Sequence, residues 1–308
     1  MNNIFIATST FCQYSKFPLN ELDNNNILYS INDKGRKLTS SEMFDIIPSC
    51  NGIIAGTEKY DKKILTQAKN LRVISRLGVG NDNIDISIAE RNKIHIYNTK
   101  TSPGLAVSEL TLALILDLIR HVSKHNKDMK NGLWEKRMGL LLSGKTLGIV
   151  GFGKIGQSLY NITKGFDLKY LINDISIDSI YNSDDNVEYC SIEKLFSESD
   201  IISLHLNLSD QNYHLVNYNL LKQVKSNAII INTSRGEIIN ENDLIKALDN
   251  QLISGVGLDV FESEPYVGRL SDYENVILTP HIAGYAKEIR IKMELEATMN
   301  LIGALENI

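Results

Sequence analysis

Residues 151–156 read Gly-Phe-Gly-Lys-Ile-Gly, directly after the apolar run Thr146–Val150 and at the head of a helical pattern. Strand, glycine turn and helix in that order make a dinucleotide cradle. Gly151 permits the tight turn, Gly153 lets the backbone approach a pyrophosphate, and Gly156 lets helix and strand pack closely. The first helical residues, Lys154 and Ile155, turn free N–H groups and the positive end of the helix dipole toward the phosphates. Asp174 closes the next strand. An acidic residue at that distance accepts hydrogen bonds from the adenine ribose and repels a 2′-phosphate, so the expected cofactor is NAD rather than NADP. Three further pieces end predicted strands: Asn232-Thr-Ser-Arg-Gly236, Leu258-Asp-Val-Phe-Glu-Ser-Glu-Pro265 and Thr279-Pro-His-Ile-Ala-Gly284. Open α/β sheets bind ligands outside the carboxyl ends of their strands, so all three, Thr233 and Ser234 included, are expected to face the cofactor. Within them His281 suits a general acid–base, because imidazole titrates near neutral pH. Arg235 offers a planar fork for a carboxylate.

Other spacings carry less chemistry. Gly139 through Gly144-Lys145-Thr146 matches a phosphate-loop pattern literally, but its Gly-Lys-Thr precedes a strand instead of a helix. His121 and His125 stand four apart among Arg120, Lys124 and Lys127, which reads as a solvated face, and no metal site is expected. His95, His205 and His214 read as structural, and Trp134 as a packing anchor. Cys12, Cys50 and Cys190 show no metal spacing and fit a reducing, cytoplasmic setting.

The elements that must position these residues alternate regularly. Ile4–Ala7, Gly52–Ala55, Val73–Arg76 and Ile94–Tyr97 read as strands, with a helix over Asp61–Lys69. A helix from Ala106 to about His125 is expected to cross between domains. Beyond it come strands at Thr146–Val150, Lys169–Ile172, Ile201–Leu204, Ala228–Asn232, Ser254–Asp259 and Val276–Leu278. Helices are expected between them at Lys154–Gly165, Ile192–Glu198, Leu220–Val224 and Glu241–Asn250. This is α/β architecture with two doubly wound parallel-sheet domains. The last helix, Lys287 to Asn307, has no second core of its own and is expected to return to the first domain. The expected division is therefore 1–98 plus 285–308 for a substrate domain, with 99–284 as the NAD-binding domain inserted into it. A hinge near Asn98 and Gly284 is expected to let the domains close and exclude water.

A chain of 308 residues gives a prior of about two domains. The net charge of −5, without a basic block, gives no footprint for nucleic acid. No apolar run reaches the length of a membrane span, and the first residues carry no positive stretch of a signal peptide.

The glycine fingerprint and the three late pieces together resemble the D-isomer-specific 2-hydroxyacid dehydrogenases, a family that includes phosphoglycerate dehydrogenase. The resemblance extends through Arg76-Leu-Gly-Val-Gly-Asn-Asp-Asn-Ile-Asp85, Asn98-Thr, Ala106-Val-Ser-Glu-Leu and Gly132-Leu-Trp134. It implies a Rossmann-type domain inserted in a discontinuous flavodoxin-like one, a homodimer, and interconversion of a D-2-hydroxy acid and its 2-oxo acid by hydride transfer to or from NAD. It makes Glu264 the carboxylate that orients His281, and Asp259 the partner of the nicotinamide carboxamide. Arg235 would hold the substrate carboxylate with the N–H groups of Gly78, Val79 and Gly80, where glycines allow close approach. The loop Ala55-Gly-Thr-Glu-Lys59 lacks the Arg-Ser pair of phosphoglycerate dehydrogenases. Lys59, Arg76 and Lys100 remain as possible phosphate partners. Two alternatives stand beside the leading expectation. One is a short-form D-3-phosphoglycerate dehydrogenase. The other is an NAD-sensing, corepressor-like binding protein on the same scaffold, against which the intact Arg235, Glu264 and His281 set counts.

Overall fold

The computed structural model describes residues 3–176 and 184–306. The chain divides into two compact units, Met1–Pro103 with Tyr285–Ile308, and Gly104–Gly284.

The first unit runs β1 (Asn3–Ile6), α1 (Phe17–Asn24), β2 (Leu28–Ile31), α2 (Ser40–Ile46), β3 (Gly52–Ala55), α3 (Lys62–Gln67), β4 (Val73–Arg76), α4 (Ile86–Arg91) and β5 (His95–Asn98). Among the described residues its five strands pair parallel in the order β2-β1-β3-β4-β5. Each strand is short, and β3 and β4 are buried along their whole length, as apolar strands covered on both faces must be. Side chains start the helices. Asp61 accepts the Ile64 N–H at 3.0 Å and Asp85 the Ile88 N–H at 3.1 Å.

The second unit begins with α5 (Gly104–Arg120) and α6 (Val122–Lys130). A single helix to His125 was expected to cross between domains. α5 ends at Arg120, and the chain breaks at His121, whose φ is +55°, before α6 begins. The Asp117 carboxylate takes the N–H and hydroxyl of Ser123 and so caps the new helix from the old one. The series continues through β6 (Thr146–Val150), α7 (Lys154–Thr163), β7 (Lys169–Asn173), β8 (Val187–Tyr189), α8 (Ile192–Glu198), β9 (Ile201–Leu204), α9 (Tyr218–Leu221), β10 (Ile229–Asn232), α10 (Glu241–Asp249), β11 (Gly255–Leu258) and β12 (Val276–Leu278). Among the described residues its seven strands are parallel in the order β12-β11-β10-β9-β6-β7-β8. Order reverses between β6 and β9, which makes that junction the switch point of a Rossmann sheet. One face packs Ile149, Ile201 and Ile231 under Leu114 and Ile115. The other packs Val150, Ile202 and Ile230 under Leu195, Leu221 and Leu244.

The chain then returns to the first unit as α11 (Lys287–Glu306), which covers Ile4, Ile6 and Val73 with Met293, Ala297 and Leu301. The expected last position of that helix, Asn307, lies outside the described residues. The first unit also keeps residues 99–103, beyond the Asn98 boundary read from sequence. The cause is α11: the Glu296 carboxylate accepts the N–H groups of Lys100 at 2.6 Å and Thr101 at 2.9 Å.

Candidate active site

The glycine loop follows β6 at the switch point. Gly151 adopts φ +91°, and a Cβ there would meet the His205 carbonyl oxygen, at the end of β9, at 2.5 Å. Only glycine lets the two strand ends close in this way. A Cβ on Gly153 would meet nothing within 4 Å, and Gly153 caps α7 without a side chain. The first N–H groups of α7, through Lys154 and Ile155, thus head a helix whose cap leaves them to a ligand. This bare backbone at a helix N-terminus fits a pyrophosphate. Asp174, just past β7, accepts the Phe152 N–H at 2.5 Å through Oδ2 and the Ser176 N–H at 2.8 Å through Oδ1. The His205 ring donates or accepts at Ser203 Oγ, 2.8 Å away, and burial pulls its pKa down to about 3, so it stays neutral.

Arg235, Glu264 and His281 follow β10, β11 and β12, three neighbouring strands. His281 Nδ1 lies 2.9 Å and 3.0 Å from the two Glu264 oxygens. A nitrogen facing two acceptor oxygens carries the proton, which leaves the lone pair of the neutral ring on Nε2. Gly236 brings the Arg235 turn against the Glu264 loop: a Cβ on it would lie 1.9 Å from the Phe261 carbonyl carbon. Arg235 donates to the Ser234 carbonyl at 2.7 Å, and Asn232 Nδ2 donates to the Arg235 carbonyl at 2.8 Å. The Thr233 hydroxyl pairs with Thr111 at 2.9 Å, and the Ser234 hydroxyl donates to Asn232 Oδ1 at 2.7 Å.

Asp259 has a structural task that the sequence did not reveal. Fully buried, its Oδ1 accepts the Thr279 hydroxyl at 2.6 Å and the Ile282 N–H at 2.8 Å, and its Oδ2 the Ala283 N–H at 2.8 Å. Burial pushes its carboxyl above the usual range, against the pull of these donors and of His281. The loop it grips contains His281, whose own φ is +55°.

In the first unit the loop after β4 carries Gly78, Val79 and Gly80. Gly78 has φ +146°, and its N–H already donates to Thr99 Oγ1 at 3.1 Å and to the Arg76 carbonyl at 3.0 Å. Val79 and Gly80 follow it, and Asn98 Nδ2 holds the Val79 carbonyl at 2.8 Å. Gly144-Lys145-Thr146 runs straight into β6, so it builds no phosphate loop. His125 Nε2 accepts the Arg137 N–H at 3.1 Å, and among the described residues no cluster of three or more His, Cys, Asp or Glu is placed to hold a metal.

A Rossmann sheet with this glycine turn fits a dinucleotide cofactor, and the matching family model and relatives make the chain an NAD-dependent oxidoreductase acting on a CH–OH group. The family is identified by comparison: residues 112–283 match the NAD-binding domain of the D-isomer specific 2-hydroxyacid dehydrogenases, and the chain belongs to that family. It is 41% identical to a glyoxylate reductase of Thermococcus litoralis over 80% of this chain and 77% of that one. A hydroxypyruvate reductase of Thermotoga maritima is 35% identical over 84% and 86%. The solved TT0316 protein from Thermus thermophilus superposes with a TM-score of 0.90 at 29% identity, covering 99% of this chain and 97% of that one. Among the described residues no helix is long and apolar enough to cross a membrane.

Proposed function

We propose that the chain reduces a small 2-oxo acid to its D-2-hydroxy acid, and runs the reverse reaction, with His281 as acid–base, Glu264 as its orienting carboxylate and Arg235 as carboxylate anchor. The observation that carries this is the two-oxygen contact of Glu264 with His281 Nδ1. Bound NADH supplies the hydride. His281, protonated on both nitrogens, donates its Nε2 proton to the carbonyl oxygen of the substrate as that oxygen gains charge. Glu264 stabilises the imidazolium before the transfer and keeps the neutral ring in the Nδ1–H form after it. The Arg235 fork holds the substrate carboxylate and polarises the 2-oxo group, helped by the N–H groups of the Val79–Gly80 turn. Asp174 takes the adenine ribose, while Thr233, Ser234 and Asp259 complete the cofactor side. The names of the relatives point to glyoxylate and hydroxypyruvate as first substrates.

The working form is a homodimer in the cytoplasm. Trp134, Met138 and Leu141 are 76%, 93% and 72% exposed on one stretch of the second unit, an apolar surface that a second copy would cover.

The test is NADH oxidation across glyoxylate, hydroxypyruvate, pyruvate and branched 2-oxo acids. One or more is expected to turn over, and His281→Ala to lose about 10²–10⁴-fold in kcat with NADH affinity retained. Loss of NADH binding in the variant would remove His281 from the chemistry. NADH binding with no turnover on any acid would favour a cofactor-binding protein.

A further inference from the structure

Within the second unit, charged side chains that the proposed chemistry does not use tie together three of its loops. Glu241 is the first residue of α10, and Glu262 lies two positions before Glu264. Glu262 Oε1 accepts the Glu241 N–H at 2.9 Å, and Glu241 Oε1 accepts the Glu262 N–H at 2.8 Å. Each carboxylate thus satisfies the backbone of the other. The N–H at the head of α10 has no carbonyl of its own helix to reach, and a negative charge is its favoured partner. A histidine joins the pair. Asn240 Oδ1 accepts the Asp243 N–H at 3.1 Å, which fixes the amide and turns its Nδ2 to His214 Nδ1 at 3.2 Å. Nδ1 is therefore an acceptor, and the ring hydrogen is on Nε2. That nitrogen lies 3.0 Å from Glu262 Oε1. The N–H of His214 donates to the Glu237 carbonyl at 2.8 Å. The loops after β9, β10 and β11 are held at one place.

The hold works against a cost. Burial, with the charges of Glu262 and Glu237, keeps the Glu241 carboxyl above its ordinary range in spite of the Glu262 N–H. What offsets that cost is two charge-assisted bonds to backbone. They fall where the backbone bears on the catalytic pair. On one side, a Cβ on Gly236 would lie 1.9 Å from the Phe261 carbonyl carbon and 2.4 Å from the Glu262 nitrogen. The Phe261 N–H donates to Glu264 Oε1 at 3.3 Å, and that same oxygen lies 3.0 Å from His281 Nδ1. A shift of the backbone at Phe261–Glu262 would therefore pass directly to the Glu264 carboxylate.

We infer that Glu241 is a positioning residue for the reaction: by holding the backbone at Phe261–Glu262 it aims the Glu264 carboxylate at His281. This rests on the roles proposed above for Glu264 and His281, and extends them to a residue on another element.

The test is a double-mutant cycle, run with NADH on the 2-oxo acid that turns over. Glu264→Ala is expected to lower kcat by about 10²-fold. Glu241→Ala alone is expected to lower kcat about tenfold, part of what a misplacement of about 1 Å costs, with KM for the acid and NADH affinity each changed less than about threefold. Glu241→Gln, which keeps an acceptor oxygen, is expected to restore kcat. In the Glu264→Ala background, Glu241→Ala is expected to cost less than about twofold more, because no carboxylate remains to be aimed. A further tenfold fall in that background, an equal loss in Glu241→Gln, or wild-type kcat in Glu241→Ala overturns the inference and leaves the reductase reading standing. Wild-type kcat in Glu264→Ala, or no turnover by the wild-type chain on any acid, overturns the reading it rests on, and the inference with it. Should Glu241→Ala fail to fold, Glu262→Ala, which removes the other half of the brace, takes its place in the cycle with the same outcomes.

Discussion

The carboxylate of Asp259 spends three hydrogen bonds on the loop that carries His281, and His281 itself occupies the left-handed region at φ +55°. A non-glycine residue there costs about 1–3 kcal/mol and persists only where its surroundings hold it. Asp259 supplies that hold. In Asp259→Asn one acceptor oxygen becomes an NH₂ group facing an N–H, the loop relaxes, and the imidazole shifts against Glu264. The expected result is a fall in kcat of about 10²-fold, since misplacement by about 1 Å costs that much. Steady-state rates on whichever of the tested 2-oxo acids turns over check it, and a variant with wild-type kcat would show the loop to be self-supporting. At this scale Arg235, Glu264 and His281 stand out in the sequence as candidates, because side-chain chemistry and strand-end position single them out or match a known pattern. The sequence was silent on the clamp, because the donors lie 20 to 24 positions from Asp259 and two of them are backbone N–H groups, identical at every residue. Gly236 went unremarked for a similar reason: its value lies in the Phe261 backbone it touches.

Elements of the second unit were legible nearly to the residue. A buried parallel strand such as β10 shows as an unbroken apolar run, Ala228–Ile231. The edge strands β2 and β8 were missed. Their exposed and half-buried side chains carry no apolar run, and their pairing partner alone makes them strands. α6 was not foreseen as a separate helix, since it buries no residue and thus shows no apolar stripe. The turn between β6 and α7 permits a test of what each glycine does. A Cβ on Gly156 would lie 2.3 Å from the Gly151 carbonyl oxygen, whereas one on Gly153 meets nothing. Gly156→Ala is therefore expected to lower the melting temperature and weaken NADH binding together, with a stability loss of about 1–3 kcal/mol. Gly153→Ala is expected to leave melting unchanged and weaken NADH alone by about tenfold or more. Thermal unfolding with and without NADH separates the two, and equal behaviour would remove Gly153 from the phosphate site.

At the scale of the whole molecule, the exposed stretch holding Trp134, Met138 and Leu141 should show itself in mass. Sedimentation equilibrium is expected to give twice the 34.6 kDa of one chain, and Trp134→Glu to shift the protein toward one. A single-copy mass for the wild type would leave that surface to another partner. The two-unit division was legible from alternation and from a last helix with no core of its own. The handover near residue 100 was not, because Glu296 fixes it from far along the chain. That return has a further consequence during synthesis. Ser75 donates to the Ala297 carbonyl across 222 residues, and α11 covers one face of the sheet that β1, β3 and β4 build. On the ribosome those strands emerge long before their cover, while residues 104–284 form a compact unit of their own in between. The insert can be finished first, and the segment translated earliest is the one that must wait. Its uncovered isoleucine face is then the surface on which nascent chains would stick to one another, and the one a chaperone would need to shield.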